Sequence, residues 1–191
     1  GGVGREFLDR TAVRAVLAWV RLSNSTGDDL GSQDLAEAMK RPSRPLHPNV
    51  AEWVSEQRSL VALRRLAARI TNERDAARVA AFADDIARLQ RIAAGATSAA
   101  VMRVLRDDIG LGASIAGLDA GRQGMNRAAQ NDDLVALMQL AALQPDVTRF
   151  ESWLRAALDR PRSGGVVLAT VHRVKGQEWP QVVLHHVDVD Q

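Results

Sequence analysis

Apolar residues recur three and four positions apart along most of this chain, and that spacing constrains its fold more than any other feature. In the first such stretch, Val13, Val16, Leu17 and Val20 line one side of a helix that we expect between residues 9 and 22. The same period returns in four later stretches, at residues 60–70, 79–89, 101–109 and 134–141. The sequence therefore predicts a mainly α-helical structure.

Local signals divide this helical pattern. Three prolines within residues 42–48 forbid regular helix there. Helical spacing resumes after them, and Trp53 is expected to face a core. Five glycines between residues 110 and 124 predict a loop, with at most one helical turn within it. Thr148 and Glu151 have the spacing of a capping box, which predicts the start of a last helix.

The period changes after Gly164. Residues 166–170 and 181–187 are continuous apolar runs with β-branched side chains, which is typical of buried parallel strands. Two strands do not make an independent sheet. We therefore predict a mainly α fold class, a helical subdomain with a short α/β remnant of two strands from a larger domain. Exposed edges on those strands would favour self-association.

Several classes of protein are excluded by composition. The chain has no cysteine, which rules out disulfides and thiol chemistry. It has no apolar run of about 18 residues and no signal-peptide pattern, so we expect a cytoplasmic protein that does not bind a membrane. His185 and His186 are adjacent on a predicted strand and would face opposite sides, so no metal site is predicted.

The basic residues are nearly all arginine, since Lys40 and Lys175 are the only lysines. Arginine suits bidentate contact with phosphate, but a GC-rich coding sequence produces the same bias. The net charge of +2 is too small to indicate nucleic-acid binding alone. Within the proline-rich turn, Arg41, Arg44 and His47 are the candidate phosphate contacts.

The stretch Thr170–Trp179 resembles motif V of superfamily I DNA helicases of the UvrD/PcrA/Rep group, whose form is T-x-H-x-x-K-G-x-E-[FW]. The six matching positions are Thr170, His172, Lys175, Gly176, Glu178 and Trp179. A second segment, from Arg5 to Leu22 and on to Asp28-Asp29, resembles the region after motif IV of the same family. The resemblance spans the chain, specifically at both ends and loosely between them. Within the family it is nearest to the second, divergent UvrD-like group of actinobacteria.

This resemblance implies a domain organisation. Residues 1–30 would be a flank from the second RecA-like domain, and residues 31–163 a helical 2B-like accessory subdomain. Residues 164–191 would return to the second RecA-like domain with motif V. The chain would thus be part of a longer helicase.

The resemblance also implies roles for the motif residues. Thr170 and His172 would contact the backbone of single-stranded DNA, whereas Lys175, Gly176 and Glu178 would bind the nucleotide, with Glu178 on its ribose. ATP and Mg would serve the parent enzyme. No G-x-x-x-x-G-K-[ST] phosphate loop occurs here, so this region alone is expected to bind neither and to hydrolyse no ATP.

As a whole, the resemblance implies the accessory, DNA-engaging and regulatory region of an ATP-dependent 3′–5′ DNA helicase of DNA repair, in contact with single-stranded and duplex DNA.

One departure from the family's sequence supports an alternative function. The family has PxRGIG where this chain has Pro42-Ser-Arg-Pro-Leu-His47, so glycines that allow close phosphate approach are lost. The alternative is a docking and autoinhibitory module for a repair-protein partner, with little direct DNA contact. A helical ligand-binding domain of a signalling protein would leave the motif unexplained.

Overall fold

The computed structural model describes residues 5–26, 29–120 and 128–159. Within these ranges a 3₁₀ turn at Arg5–Asp9 precedes nine α-helices. They are α1 Thr11–Asn24, α2 Ser32–Lys40, α3 Pro48–Ser55, α4 Leu60–Arg69, α5 Glu73–Ala93, α6 Ser98–Asp107, α7 Leu111–Asp119, α8 Ala129–Leu143 and α9 Val147–Asp159. The helices expected from apolar spacing are thereby confirmed.

Helix α1 lies at the centre of the core, where it packs against α2, α5, α8 and α9. It is apolar on nearly every side, which is typical of a helix surrounded by others. Trp19 of α1 is fully buried, and its indole meets the Phe82 ring of α5 edge-on, with the ring centroids 5.5 Å apart. Such edge contacts are a favoured geometry for aromatic pairs. The long α5 is thereby held against α1.

Side chains that accept from the first turn fix the start of several helices. Ser59, Asn72 and Thr97 each accept a hydrogen bond from the backbone N–H three residues later, at 3.1, 3.1 and 3.3 Å. At α9 the cap differs from the sequence prediction. Asp146 Oδ1 accepts from the Thr148 N–H at 2.9 Å, so Thr148 lies inside the first turn rather than at the cap.

The glycine-rich stretch also departs from its predicted loop, because residues 111–119 form α7. Gly110 has a φ of 89° and starts this helix from the left-handed region, which glycine adopts without steric cost. Leu111 and Ile115, one turn apart, are fully buried. Their burial outweighs the low helix propensity of the two glycines within the helix.

The predicted fold class needs correction, because the two-strand remnant is not seen among the described residues, while the mainly helical part fits. Every regular element in the described ranges is helical, and no strand occurs among them. The two strands expected at 166–170 and 181–187, and the self-association expected from them, lie outside the described residues. The helices from α1 to α9 belong to one compact unit, which includes the segment assigned to the flank by resemblance.

Candidate nucleic-acid interface

The proline-rich turn between α2 and α3 is fastened to two other helices by hydrogen bonds to its backbone. Trp19 Nε1 of α1 donates to the Arg41 carbonyl at 2.7 Å. Arg78 of α5 donates to the Pro45 carbonyl at 2.6 Å, and the His47 N–H donates to Asp75 Oδ2 at 3.4 Å. The turn is therefore a fixed connection rather than a free loop.

Arg44 points into the protein from this turn. Its side chain is only 11% exposed, and its guanidinium pairs with Asp85 Oδ2 at 2.5 Å. The same group stacks 5.0 Å from the Phe82 ring centroid and 5.4 Å from that of Trp19. Desolvation lowers the pKa of Arg44 below its usual value, and the contact with Asp85 opposes that shift. This arginine, predicted to contact phosphate, is occupied by contacts within the protein.

Arg41 and His47 lie nearer the surface. Arg41 is half-buried and donates to the Lys40 carbonyl at 2.9 Å, while its Nε is buried without a hydrogen-bond partner in the described ranges. His47 is exposed and caps α3, with Nδ1 accepting from the Asn49 N–H at 3.3 Å. A proton on Nδ1 would remove that cap, so His47 cannot be both the cap and a charged phosphate contact.

The structure thus brings Arg41, Arg44 and His47 together on one turn, but it leaves only two of them accessible. The motif residues predicted to contact single-stranded DNA or nucleotide lie outside the described residues. They are Thr170, His172, Lys175, Gly176 and Glu178.

A more accessible basic surface lies on α4 and the start of α5. Arg65 and Arg69 on α4 and Arg74 in the first turn of α5 are exposed, and none has an ion pair within the described part of the chain. Because Arg65 and Arg69 are four residues apart on one helix, their side chains are neighbours. We call Arg65, Arg69 and Arg74 the arginine face.

Most other arginines with a described side chain are neutralised by carboxylates. Arg10 pairs with Asp133 at 2.6 Å. Arg21 bridges two carboxylates, those of Asp34 and Glu151, at 2.7 and 2.9 Å. Further pairs are Arg14–Glu37, Arg64–Asp84, Arg78–Asp75, Arg88–Asp108, Arg106–Asp107, Arg149–Asp146 and Arg155–Glu151. Arg91 and Arg103 are also exposed and have no ion pair in the described ranges, and the arginine face differs from them in having three such groups within residues 65–74.

Positive charge is also concentrated in one part of the sequence, the part that contains the arginine face. Residues 41–78 hold eight arginines against four carboxylates, although the whole chain has a net charge of only +2. The signal was present in the sequence as a cluster of four arginines within eleven residues, Arg64, Arg65, Arg69 and Arg74.

A groove beside the arginine face exposes an aromatic ring. It encloses about 340 Å³ between α3 and α4 and is lined by Trp53, Glu56, Gln57, Leu66, Arg69 and Ile70. Trp53 is 45% exposed, which corrects its predicted place in the core. Val50 and Val54, four residues apart, take the inward side of α3. Trp53, three residues after Val50, lies at the margin of that side, where nearly half of its surface remains exposed.

No group of three or more His, Asp or Glu side chains that could hold a metal ion occurs in the described ranges. Nor is any helix of those ranges long and apolar enough to cross a membrane. The chain matches no known family model, no curated protein and no solved structure.

Proposed function

We propose that this chain is the DNA-engaging accessory region of an ATP-driven 3′–5′ helicase of the UvrD/PcrA/Rep type, acting in DNA repair in the cytoplasm. The helicase assignment rests on the sequence motif Thr170–Trp179, with six matching positions in ten. The helical character of the described ranges is compatible with an accessory subdomain. In the longer enzyme, Lys175, Gly176 and Glu178 would contact the nucleotide, and Thr170 and His172 the single strand.

The observation that carries DNA engagement is the arginine face. Three exposed guanidinium groups lie on two consecutive helices without carboxylate partners among the described residues, while most other arginines are paired. An unpaired arginine pays no cost of breaking an ion pair when it binds phosphate. Guanidinium groups suit phosphate because they donate two hydrogen bonds in one plane. The proposed contact is therefore with the DNA backbone and is independent of base sequence.

The salt dependence of duplex binding tests this proposal. Each phosphate neutralised contributes about −0.9 to the slope of log K against log salt concentration. Replacing Arg65, Arg69 and Arg74 together by alanine should therefore flatten the slope by roughly 2 to 3. The matched control replaces Arg106, Arg149 and Arg155, three paired arginines on other helices whose side chains are 41%, 78% and 51% exposed, and should change the slope by less than about 1.

If both triple variants flatten the slope equally, the contact is diffuse charge attraction rather than this surface. If wild-type protein binds no DNA, the proposal fails.

The inward-facing Arg44 favours the second candidate, a docking and autoinhibitory module. At the turn where the family grips duplex, this chain uses its central arginine to pair with Asp85. A module that has lost that grip could still bind a repair protein. Absence of DNA binding by the wild-type chain, combined with specific binding of a repair protein, would favour this candidate.

A further inference from the structure

Trp53 is an exposed aromatic ring beside unneutralised positive charge. It lies on α3, whose inward side is held by the buried Val50 and Val54. Its indole lines one side of the groove, and Arg69 of the arginine face lines the same groove. The exposed part of the indole leaves apolar surface in contact with water, and a flat apolar ligand that stacks on the ring would cover that surface.

The rest of the lining combines apolar and polar groups. Leu66 and Ile70 from the end of α4 contribute apolar surface. Glu56 and Gln57 contribute polar groups, and Gln57 Nε2 donates to the Trp53 carbonyl at 2.7 Å. A carboxylate in this place can accept hydrogen bonds from an exocyclic amino group. The groove thus has surfaces for both the face and the edge of a nucleobase.

We propose that this groove binds an unpaired nucleobase, which stacks on the Trp53 indole while the adjoining phosphates contact the arginine face. The inference rests on the proposed DNA engagement and assigns it a single-stranded ligand at a site distinct from the proline-rich turn. Proteins that bind single strands combine a basic track along the backbone with aromatic rings that stack the bases. Here Trp53 supplies the ring, and Arg65, Arg69 and Arg74 supply the track.

Charge complementarity favours a nucleic acid over a peptide in this groove. Arg69 lines the groove, and Arg65, one turn before it on α4, and Arg74, in the first turn of α5, are exposed and have no ion pair in the described ranges. A polyanion can neutralise several such groups along one backbone. An acidic peptide would need one apolar side chain to cover Trp53 and several carboxylates around it to pair with the arginines. Glu56, the one carboxylate of the lining, repels carboxylates and phosphates alike, but it can accept a hydrogen bond from the amino group of cytosine.

The test compares two oligonucleotides that share one phosphate backbone. One is a 12-residue oligo-dC, and the other has the same length with every base removed. Trp53→Ala should weaken binding of oligo-dC by about 5-fold or more, because stacking of one base on an aromatic ring contributes about 1–3 kcal/mol. It should leave binding of the abasic strand unchanged. Trp53→Phe should restore most of the loss.

A matched control and a second readout separate stacking from a general effect on the surface. Val61→Ala removes another exposed apolar side chain, 57% exposed on α4, and should leave both affinities unchanged. In wild-type protein, oligo-dC should quench tryptophan fluorescence more than it does in Trp53→Phe, because that variant lacks the stacked indole and keeps the other three tryptophans.

If wild type and Trp53→Ala bind oligo-dC with equal affinity, the inference is overturned. A groove that binds a peptide instead of a nucleobase would give this result. If the triple arginine variant still weakens DNA binding in that case, the proposed function stands without the stacking site. If the wild-type chain binds neither oligonucleotide nor duplex, the proposed function itself has failed.

Discussion

At the scale of single residues, two arginines that look alike in the sequence have different surroundings. Arg44 and Arg64 each pair with an aspartate of α5, Asp85 and Asp84 respectively. Arg44 is nearly buried and stacks on two aromatic rings, whereas Arg64 is 54% exposed and its partner is 71% exposed. Buried pairs cost several kcal/mol when one partner is removed, but exposed pairs contribute about 0–1 kcal/mol.

Arg44→Met should therefore lower the free energy of unfolding by about 2–3 kcal/mol, because it leaves Asp85 half-buried without its partner. Arg64→Met, the matched control, should lower it by less than about 1 kcal/mol. Urea unfolding of the two variants measures both values. Equal losses would mean that the burial of Arg44 has no energetic consequence.

The aromatic contact beneath Arg44 supports a second residue-scale expectation. Phe82 is 1% exposed and touches both Trp19 and the Arg44 guanidinium. Phe82→Ala should destabilise the protein by about 3–5 kcal/mol, because it removes a large apolar side chain and leaves a cavity. Val61→Ala on the surface of α4 should change stability by less than about 0.5 kcal/mol. A thermal or urea midpoint of Phe82→Ala close to the wild-type value would contradict this packing.

At the scale of elements, the cap of α9 should make the stability of the fold depend on pH. Hydrogen bonds from Thr148, together with nearby Arg149, hold the pKa of Asp146 below its usual value. A carboxylate with a lowered folded-state pKa stabilises the fold above its unfolded pKa of about 4 and loses that contribution as pH falls. The difference in stability between wild type and Asp146→Ala should therefore be constant near neutral pH and shrink below about pH 4. A difference that grows as pH falls would contradict the cap.

Helix α7 offers a matched pair of glycines. A Cβ at Gly117 would meet no described atom within 4 Å, so Gly117→Ala should stabilise the protein by about 0.5–1 kcal/mol through helix propensity. A Cβ at Gly112 would lie 2.8 Å from Arg106 Cγ and 3.1 Å from its carbonyl oxygen, so Gly112→Ala should lose that gain to crowding. If the thermal unfolding midpoint of Gly112→Ala is higher than that of Gly117→Ala, α7 does not pack against Arg106 as described.

The elements also show what the sequence could and could not predict. Apolar spacing located the helices because burial of one side of a helix repeats every three to four residues. It misplaced Trp53, since the choice of inward side on a short helix depends on which neighbour covers it. It missed α7, because counting glycines ignores the buried Leu111 and Ile115. The Arg44 side chain points inward because it pairs with Asp85, which is 41 residues away, and no local sequence pattern indicates such a partner.

At the scale of the whole molecule, the absence of a phosphate loop sets the expected chemistry. Hydrolysis of ATP requires a phosphate cradle, metal and a positioned water together. This chain should therefore release no phosphate from ATP, with or without DNA. A coupled assay for free phosphate on repeatedly purified protein checks this. Turnover that co-purifies with the chain and persists would mean that a nucleotide site exists outside the sequence motifs considered.

Arginine side-chain NMR tests most directly whether DNA binds at the arginine face. The 20.7-kDa chain is small enough for the Nε–H signals of its arginines to be followed during titration with a duplex bearing a single-stranded tail. The signals of Arg65, Arg69 and Arg74 should shift together, while those of Arg106, Arg149 and Arg155 stay in place. Shifts confined to the paired arginines, or equal shifts in both groups, would contradict the assignment of this surface.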